Sequence, residues 1–198
     1  MSLVIALVLA YLLGSISFAV VVSRFSGLAD PRTFGSGNPG ATNVLRTGNK
    51  KAAALTLLGD ALKGTVAVVV ARQWGFEEGT VNLVALAAFF GHLYPIFLKF
   101  KGGKGVATGA GILLALSPLM GLGVLATWLL IAFLTRYSSL AAILAALSAP
   151  AWTTSLHGFD AQTLSVSVIA IVLVAKHAAN IRRLLAGEES KIGSGKKA

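Results

Sequence analysis

The apolar residues of this chain form long stretches with few polar interruptions. Six such stretches cover residues 3–23, 52–71, 80–98, 106–134, 138–156 and 163–179. A helix needs about 20 apolar residues to cross a bilayer, whereas barrel strands are shorter and alternate in polarity. Because lipid offers no hydrogen bonds to the backbone, segments of this kind must be helical. The pattern predicts an all-α, polytopic transmembrane helical bundle in which the first stretch is one membrane helix.

The fourth stretch is too long for one crossing and too short for two full ones. As a helix, residues 106–134 would extend about 43 Å, while two full passes need roughly 60 Å. Ser117-Pro118 lies near its middle, and the residues around this dipeptide include Gly109, Gly111, Gly121 and Gly123. Proline and glycine favour a turn there. The stretch therefore predicts either two short tilted helices or a re-entrant hairpin.

The basic residues indicate the orientation of these helices. The loop after the first stretch carries Arg24, Arg32, Arg46, Lys50 and Lys51, the 72–79 connection carries Glu77 and Glu78, and the 99–104 connection carries three lysines. Cytoplasmic loops are enriched in Lys and Arg, which places the amino terminus outside. A cytoplasmic carboxyl terminus then requires an even number of crossings in the fourth stretch. We expect seven helices, with five plus a re-entrant hairpin as the alternative.

The composition of the chain argues against several classes of function. Apolar residues make up 56% of the 198 positions and charged residues 12%, with a net charge of +10. The basic residues lie in short loops, which indicates membrane topology rather than nucleic-acid binding. The absence of cysteine excludes disulfides, thiol nucleophiles and iron–sulfur clusters, and no metal-ligand motif is present. We predict one domain over residues 1–198, ending in a solvated cytoplasmic tail from about residue 187.

The first chemically informative segment is the cytoplasmic loop 35–46, with the sequence GSGNPGATNVLR. Its backbone N–H groups could wrap an anion, and Arg46 could clamp that anion. The glycine spacing also matches a dinucleotide fingerprint, but the required strand and crossover helix are missing. The alternative to an anion site is a turn-rich connector.

The second segment, residues 97–108, has the sequence FLKFKGGKGVAT. Lys104 precedes a predicted helix, whose unpaired N–H groups and dipole favour phosphate. The spacing differs from a Walker A loop, which argues against an ATPase. The alternative is an ordinary positive-inside loop.

The third segment, residues 176–183 (KHAANIRR), closes the last predicted helix. His177 and Asn180 are three residues apart, so we expect them on one helix face, where they could share a ligand. His177 could act as a general base or donate a hydrogen bond to phosphate. The alternative is a helix end whose cations interact favourably with its dipole.

Two predictions concern ionisable residues inside the spans. His92 lies in an apolar helix, where we expect it to organise a site rather than react. Asp60 and Lys63, at i and i+3, are predicted to form an internal ion pair.

The three segments together resemble the bacterial acyl-phosphate:glycerol-3-phosphate acyltransferase family over almost the whole chain. The first family motif resembles Ser36-Gly37-Asn38 through Gly40 and Thr42-Asn43 to Arg46. The second resembles Gly91-His92 through Pro95 to Gly102-Gly103-Lys104-Gly105, and the third resembles His177, Asn180 and Arg183. Ser139 resembles a further family site residue.

The resemblance implies transfer of a fatty acyl group from acyl phosphate to the sn-1 hydroxyl of glycerol 3-phosphate, giving lysophosphatidic acid and phosphate. The implied catalytic residues are His177, Lys104, Arg46 and Asn180. The implied substrate-binding residues are Ser36, Gly37, Asn38, Gly40, Thr42, Asn43, His92, Gly102, Gly103, Gly105, Ser139 and Arg183. No cofactor is implied.

The resemblance also implies a bacterial inner-membrane location with a cytoplasmic active site, and a soluble partner enzyme that makes acyl phosphate. We expect Ser36, Asn38, Thr42, Asn43 and Arg46 to hold one phosphate and Lys104, His177, Asn180 and Arg183 the other. The assignment of loops to substrates stays open. The base is either His177 or a phosphate oxygen of the donor.

Two other function classes compete with an acyltransferase. An anion transporter would also need membrane helices and positive charge, but transporters bind near the midplane on internally repeated, broken helices. In this chain the polar motifs cluster at one face and no repeat is apparent. A membrane-anchoring subunit would not need three separate motifs rich in Gly, Asn and Lys.

Overall fold

The computed structural model describes residues 2–193, which form α-helices, one 3-10 turn and no β-strand. The helices are α1 (Leu3–Gly14), α2 (Phe18–Phe25), α3 (Ala41–Leu45), α4 (Lys50–Gln73), α5 (Glu78–Leu93), α6 (Val106–Leu116), α7 (Pro118–Thr135), α8 (Ser138–His157), α9 (Ala161–Lys176) and α10 (Ala178–Leu185). The chain divides into two compact units, unit 1 (Met1–Leu116) and unit 2 (Ser117–Ala198).

The first apolar stretch is two helices rather than the single helix predicted. The axes of α1 and α2 differ by 43°. At the break, the Ser15 hydroxyl donates to the Tyr11 carbonyl at 2.8 Å, and Lys63 Nζ donates to the Ile16 carbonyl at 2.7 Å. Serine bonds of this kind often bend helices. A lysine 47 residues away therefore satisfies a carbonyl that the bend leaves without a helical partner.

Glycine allows close helix packing in unit 1. A Cβ added at Gly14 would overlap the Ala88 carbonyl of α5, and one at Gly111 of α6 would overlap the Ala61 carbonyl of α4. Small residues let membrane helices approach until their backbones touch, which supplies van der Waals contact where lipid gives no hydrophobic drive. These contacts pack α1 against α5 and α4 against α6.

The short helix α3 is held by an apolar cluster from three elements. Val44 has no exposed surface and packs with Ala19 of α2 and with Ala52 and Ala53 of α4. The side chain of Asn49 caps α4 by accepting from the Ala52 N–H at 2.9 Å. This packing fixes the loop that precedes α3.

The fourth apolar stretch is broken where the sequence predicted. Helix α6 ends at Leu116, Ser117 is extended, and α7 begins at Pro118. Proline at the first helical position costs no hydrogen bond, because that N–H would lack a partner anyway.

Unit 2 consists of helices α7 to α10. The ring of Trp152 in α8 lies over Gly123 of α7, where any Cβ would overlap it. Asp160 caps α9 by accepting from the Thr163 N–H at 2.8 Å. Helix α9 ends at Lys176, and α10 follows at an angle of 56°.

The apolar helices are suited to a bilayer. By length and composition, four helices could cross a membrane, or up to six if each bent pair is one span, and α6 is a shorter apolar helix. Their outer faces carry exposed apolar side chains, such as Val4, Phe133 and Ile171. Lipid is the solvent that such faces require.

Candidate functional site

The loop before α3 is organised around the buried amide of Asn43. Its Nδ2 donates to the carbonyls of Pro31 at 2.6 Å and Phe34 at 3.1 Å. Its Oδ1 accepts from the Ser36 N–H at 3.1 Å and lies 3.4 Å from Arg46 Nη1. An amide has two donors and two acceptor sites, so this amide has no capacity left for a ligand.

Two glycines of this loop have the left-handed backbone that other residues avoid. Gly35 has φ of +59° and lies against Asn43 Oδ1, and Gly37 has φ of +65°. A side chain at Gly35 would collide with the amide that organises the loop. The glycine spacing therefore serves a tight turn in this protein.

Other predicted residues of the first motif lie along the loop surface. Ser36, Thr42 and Arg46 are exposed, and Asn38 and Gly40 are partly buried. Gly40 precedes the first turn of α3, and Arg46 follows its last. Hydroxyl groups and a guanidinium thus line one exposed edge of unit 1, where they can bind an anion.

The second motif is a tight loop folded onto the end of α5. Lys99 and Phe100 have positive φ angles of 52° and 62°. The Gly103 N–H donates to the His92 carbonyl at 3.2 Å. A Cβ at Gly102 would overlap that carbonyl, and one at Gly103 would overlap His92 Nε2. Glycine at both positions lets the loop lie directly on His92.

Lys104 lies between this loop and α6. Gly105 has φ of +85° and lies against the ring of Phe89, and its carbonyl accepts from Gly109 as α6 begins. Lys104 is partly buried. The predicted placement of Lys104 immediately before a helix is therefore confirmed.

One cavity of unit 1 is lined by Gly37 and Gly102 of the first and second motifs, while Ser36, Arg46 and Lys104 are not among its lining residues. The volume of this cavity is about 490 Å³, and its walls come from residues 30–39 and 97–102, including Gly37, Gly102 and the side chains of Arg32, Lys99 and Lys101. Asp30 also contributes and pairs with Arg32 at 2.6 Å. The hydrogen bond from Arg32 holds the pKa of Asp30 below its usual value. The wall has more cations than anions, which suits a phosphate-bearing ligand.

The predicted ion pair inside the spans is present and includes a third residue. Asp60 Oδ1 lies 2.8 Å from Lys63 Nζ and 3.6 Å from His92 Nδ1. All three side chains are buried. The sequence predicted the Asp60–Lys63 pair and an organising role for His92, but it did not connect them.

The third motif, in unit 2, is at a helix break. His177 lies between α9, which ends at Lys176, and α10, which begins at Ala178, so the prediction that His177 and Asn180 lie on one face of the same helix is wrong. Both side chains are nevertheless buried, at 3% and 5% exposure. His177 Nδ1 lies 2.8 Å from the Leu173 carbonyl.

Three predicted site residues of unit 2 converge on one carboxylate that the sequence analysis did not identify. Glu189 accepts from Ser139 Oγ at 2.7 Å, Asn180 Nδ2 at 2.6 Å and Arg183 Nε at 2.7 Å. Burial would raise the pKa of Glu189, but the hydrogen bonds from these three side chains and the Arg183 charge lower it below the usual value. Glu189 is therefore ionised at neutral pH.

The segment after α10 is hydrogen-bonded to Arg136, while most of its residues up to Gly193 are exposed. That the tail is solvated stays a prediction. The Ile192 N–H donates to the Arg136 carbonyl at 2.6 Å, and Arg136 Nη2 donates to the Ile192 carbonyl at 2.9 Å. Lys191 lies over the ring of Tyr137. The predicted solvation of Gly195, Lys196 and Lys197 concerns positions outside the described residues.

Comparison with known proteins identifies the family. The family model described as glycerol-3-phosphate acyltransferase matches residues 4–187. The glycerol-3-phosphate acyltransferase of Dechloromonas aromatica is 62% identical over 198 residues, covering 100% of both chains. That of Ralstonia pickettii is 61% identical and covers 96% of this chain and 93% of its own.

Two solved structures agree with the fold. Both are of PlsY (YgiH), an integral membrane glycerol 3-phosphate acyltransferase. The glycerol 3-phosphate form has a TM-score of 0.92 and 39% identity, and the lysophosphatidic acid form has 0.90 and 38%. Each covers 98% of this chain and 97% of its own. With a matching family model, close relatives and the same fold, this chain belongs to the glycerol-3-phosphate acyltransferase family and is an integral membrane acyltransferase.

Proposed function

We propose that this protein transfers a fatty acyl group from acyl phosphate to the sn-1 hydroxyl of glycerol 3-phosphate, which yields lysophosphatidic acid and inorganic phosphate. The observation that carries the proposal is the cation-lined cavity of unit 1, whose walls include Gly37 of the first motif and Gly102 of the second. A related enzyme is solved in a glycerol 3-phosphate form and a lysophosphatidic acid form, which supports this acceptor and this product.

The reaction depends on binding and orienting the two substrates more than on a strongly activated nucleophile. The acceptor hydroxyl oxygen attacks the acyl carbonyl carbon, and the bond from that carbon to the phosphate oxygen breaks. Phosphate leaves with the electron pair, and the hydroxyl proton passes to His177 or to a phosphate oxygen. Two anions must meet for this to occur, so positioned cations and N–H donors reduce their repulsion and hold the reacting atoms close.

In unit 1, the exposed edge of the first motif holds one substrate phosphate through Ser36, Thr42 and Arg46. Asn38 and the glycines shape this edge. Asn43 acts indirectly, because its amide is fully engaged with the loop and with Arg46. Lys104, in the second motif, binds a substrate phosphate.

In unit 2, His177, Asn180, Arg183 and Ser139 remain the proposed substrate residues. Glu189 engages one donor of each of the last three. Arg183 gives only its Nε to Glu189, and within residues 2–193 its two Nη atoms make no hydrogen bond. Those nitrogens can therefore form the paired bonds to phosphate that suit a guanidinium.

An acyl phosphate donor fits this chain better than an acyl thioester. No histidine is followed five residues later by aspartate, so the H-x-x-x-x-D dyad of thioester-using glycerolipid acyltransferases is absent. The mixed anhydride already contains a good leaving group. Residues that bind phosphate are therefore sufficient for its activation.

We further propose seven membrane segments in the bacterial inner membrane, with the amino terminus outside and the motifs and the carboxyl terminus in the cytoplasm. The bond network of Arg72 supports two crossings over a re-entrant hairpin. Arg72 pairs with Glu78 at 2.9 Å and donates to the Ala115 carbonyl at 2.6 Å and the Leu116 carbonyl at 2.9 Å. The end of α6 therefore lies beside the α4–α5 connection, which positive-inside bias places outside.

A soluble enzyme that produces acyl phosphate is the partner this reaction requires. Acyl phosphates hydrolyse readily, and their phosphate group is at the water side of the membrane. Delivery from the cytoplasm is consistent with the proposed location of the motifs.

The experiment is a donor comparison with product identification. Purified protein in detergent or lipid receives glycerol 3-phosphate with either palmitoyl phosphate or palmitoyl-CoA. We expect lysophosphatidic acid acylated at sn-1 from palmitoyl phosphate alone. Equal turnover of palmitoyl-CoA, or product acylated at sn-2, would overturn the corresponding part of the proposal.

A further inference from the structure

Asp60 and Lys63, two members of a buried ionisable triad in unit 1 that also includes His92, have no role in the chemistry proposed above. Asp60 and Lys63 of α4 have side chains that are 3% and 1% exposed, and the side chain of His92 is 6% exposed. Ionisable groups inside a membrane bundle are costly and usually functional. An ion pair that only joined helices could be replaced by apolar packing, often without loss of stability.

The three side chains of the triad form a series of contacts from the α1–α2 break to the second motif. Lys63 Nζ donates to the Ile16 carbonyl at 2.7 Å and pairs with Asp60 at 2.8 Å. Asp60 Oδ1 lies 3.6 Å from Nδ1 of His92, which is longer than a hydrogen bond, so this contact is electrostatic. The opposite ring nitrogen of His92, Nε2, lies against Gly103. One ring nitrogen of His92 therefore lies near the carboxylate, and the other lies against the loop.

The loop has little freedom to move independently of His92. Gly103 donates to the His92 carbonyl, and any Cβ at Gly102 or Gly103 would overlap His92 atoms. Lys104 is the next residue. The hydrogen bond and the Gly102 contact involve the main chain of His92, and the imidazole itself contacts Gly103. A change in the position of the ring would thus alter the packing of the residue immediately before the lysine proposed to bind phosphate.

We infer that Asp60 is a positioning residue for the acyltransferase reaction: it fixes His92, which in turn holds the Gly102-Gly103-Lys104 backbone. The inference rests on the proposed role of Lys104 in binding substrate phosphate. Lys63 pairs with Asp60 at 2.8 Å and bonds the Ile16 carbonyl at 2.7 Å. A displacement of about 1 Å in a binding group can cost as much as a hundredfold in rate.

The test compares Asp60→Asn, His92→Gln and Lys104→Ala in purified protein supplied with palmitoyl phosphate and glycerol 3-phosphate. Asp160→Asn is the matched control, because asparagine caps α9 as well as aspartate does. We expect Asp60→Asn to change the same kinetic parameter as Lys104→Ala, KM or kcat, by roughly tenfold. The Asp60→Asn/His92→Gln double variant should be no worse than the more impaired single variant.

A second double variant separates positioning from folding. Asp60→Asn alone leaves the Lys63 charge unpaired, so it can unfold the protein. Asp60→Asn/Lys63→Met removes both charges and should recover the Tm while kcat/KM stays low, because His92 still lacks its carboxylate. Recovery of wild-type kcat/KM in that variant, or multiplicative effects of Asp60→Asn and His92→Gln, would overturn the inference.

The two proposals fail in different ways. If wild-type protein does not turn over palmitoyl phosphate, the proposed function fails. If wild-type protein is active and well-folded Asp60 variants match it, only the inference about Asp60 fails.

Discussion

At the residue scale, the amide groups of this protein organise cations. Asn43 holds its own loop and contacts Arg46, while Asn180 meets a carboxylate together with Arg183. In each case a buried amide shares a contact network with a longer cationic side chain. Preorganised donors of this kind lose little entropy when substrate binds.

The first prediction concerns Asn43→Ala. The change leaves the Pro31 and Phe34 carbonyls without their bonds, so we expect a loss of roughly 1–3 kcal/mol in stability and a lower kcat/KM. Thermal unfolding in detergent and steady-state kinetics measure both, with the exposed Gln73→Ala as control. Loss of activity at unchanged Tm would mean that Asn43 binds substrate directly.

A second prediction uses the titration of Glu189. A carboxyl with a lowered pKa stabilises the fold above its unfolded pKa, about 4.3, and this contribution disappears as the pH falls through the folded pKa. Glu189→Gln should therefore lower the Tm at pH 7, and its Tm should approach that of the wild type below about pH 4. Exposed Glu188→Gln should follow the wild type throughout. A Tm difference that is the same at every pH would contradict the account.

The proposed site residues could be named from the sequence, whereas several of their contacts could not. Motif spacing points to Lys104, Arg46 and His177 because glycine, amide and cation patterns are local, and their roles stay predictions. Glu189 was missed although Arg183 and Asn180 are only six and nine residues away, because helix spacing does not relate a residue beyond the end of α10 to residues within that helix. Its third partner, Ser139, is 50 residues away, so only the fold connects it to this carboxylate.

At the element scale, helix packing by glycine leads to the third prediction. Gly111→Val would force α6 away from the Ala61 carbonyl of α4, so we expect a large fall in Tm and loss of activity. Gly79→Ala in α5 is the control, because no atom lies within 4 Å of its added Cβ. Thermal unfolding of the two variants is the measurement. A wild-type Tm for Gly111→Val would contradict the packing described.

Element boundaries were predictable where proline marked them. The break at Ser117-Pro118 was expected from sequence, whereas the break between α1 and α2 was not. Residues 14–17 are small or apolar and look like an ordinary stretch of membrane helix. The Ile16 carbonyl at the bend accepts a hydrogen bond from Lys63, a residue distant in sequence. The break at His177 likewise lacks a proline.

At the scale of the whole molecule, the fourth prediction tests topology. The chain has no cysteine, so single cysteines can be labelled cleanly with a membrane-impermeant maleimide. In intact spheroplasts, we expect labelling of Glu77→Cys, Leu119→Cys and Phe159→Cys, while Lys50→Cys should react only after permeabilisation. Protection of Leu119→Cys alone would favour the five-span alternative with a re-entrant hairpin.

The architecture predicted from hydropathy, a polytopic helical membrane protein, is confirmed by the all-helical fold and the integral membrane relatives. Helix number and orientation stay predictions, because α6 has 11 residues and two helix pairs are bent. Length rules assume straight helices that cross the full bilayer. These elements depart from that assumption.

The central claim is tested most directly by phosphate release from palmitoyl phosphate, measured with and without glycerol 3-phosphate. The account predicts release that depends on the acceptor and is reduced at least tenfold in Lys104→Ala, because that lysine binds a substrate phosphate. Phosphate release at the same rate without glycerol 3-phosphate would contradict the claim and favour an anion transporter. So would the absence of phosphate release from a well-folded wild-type sample.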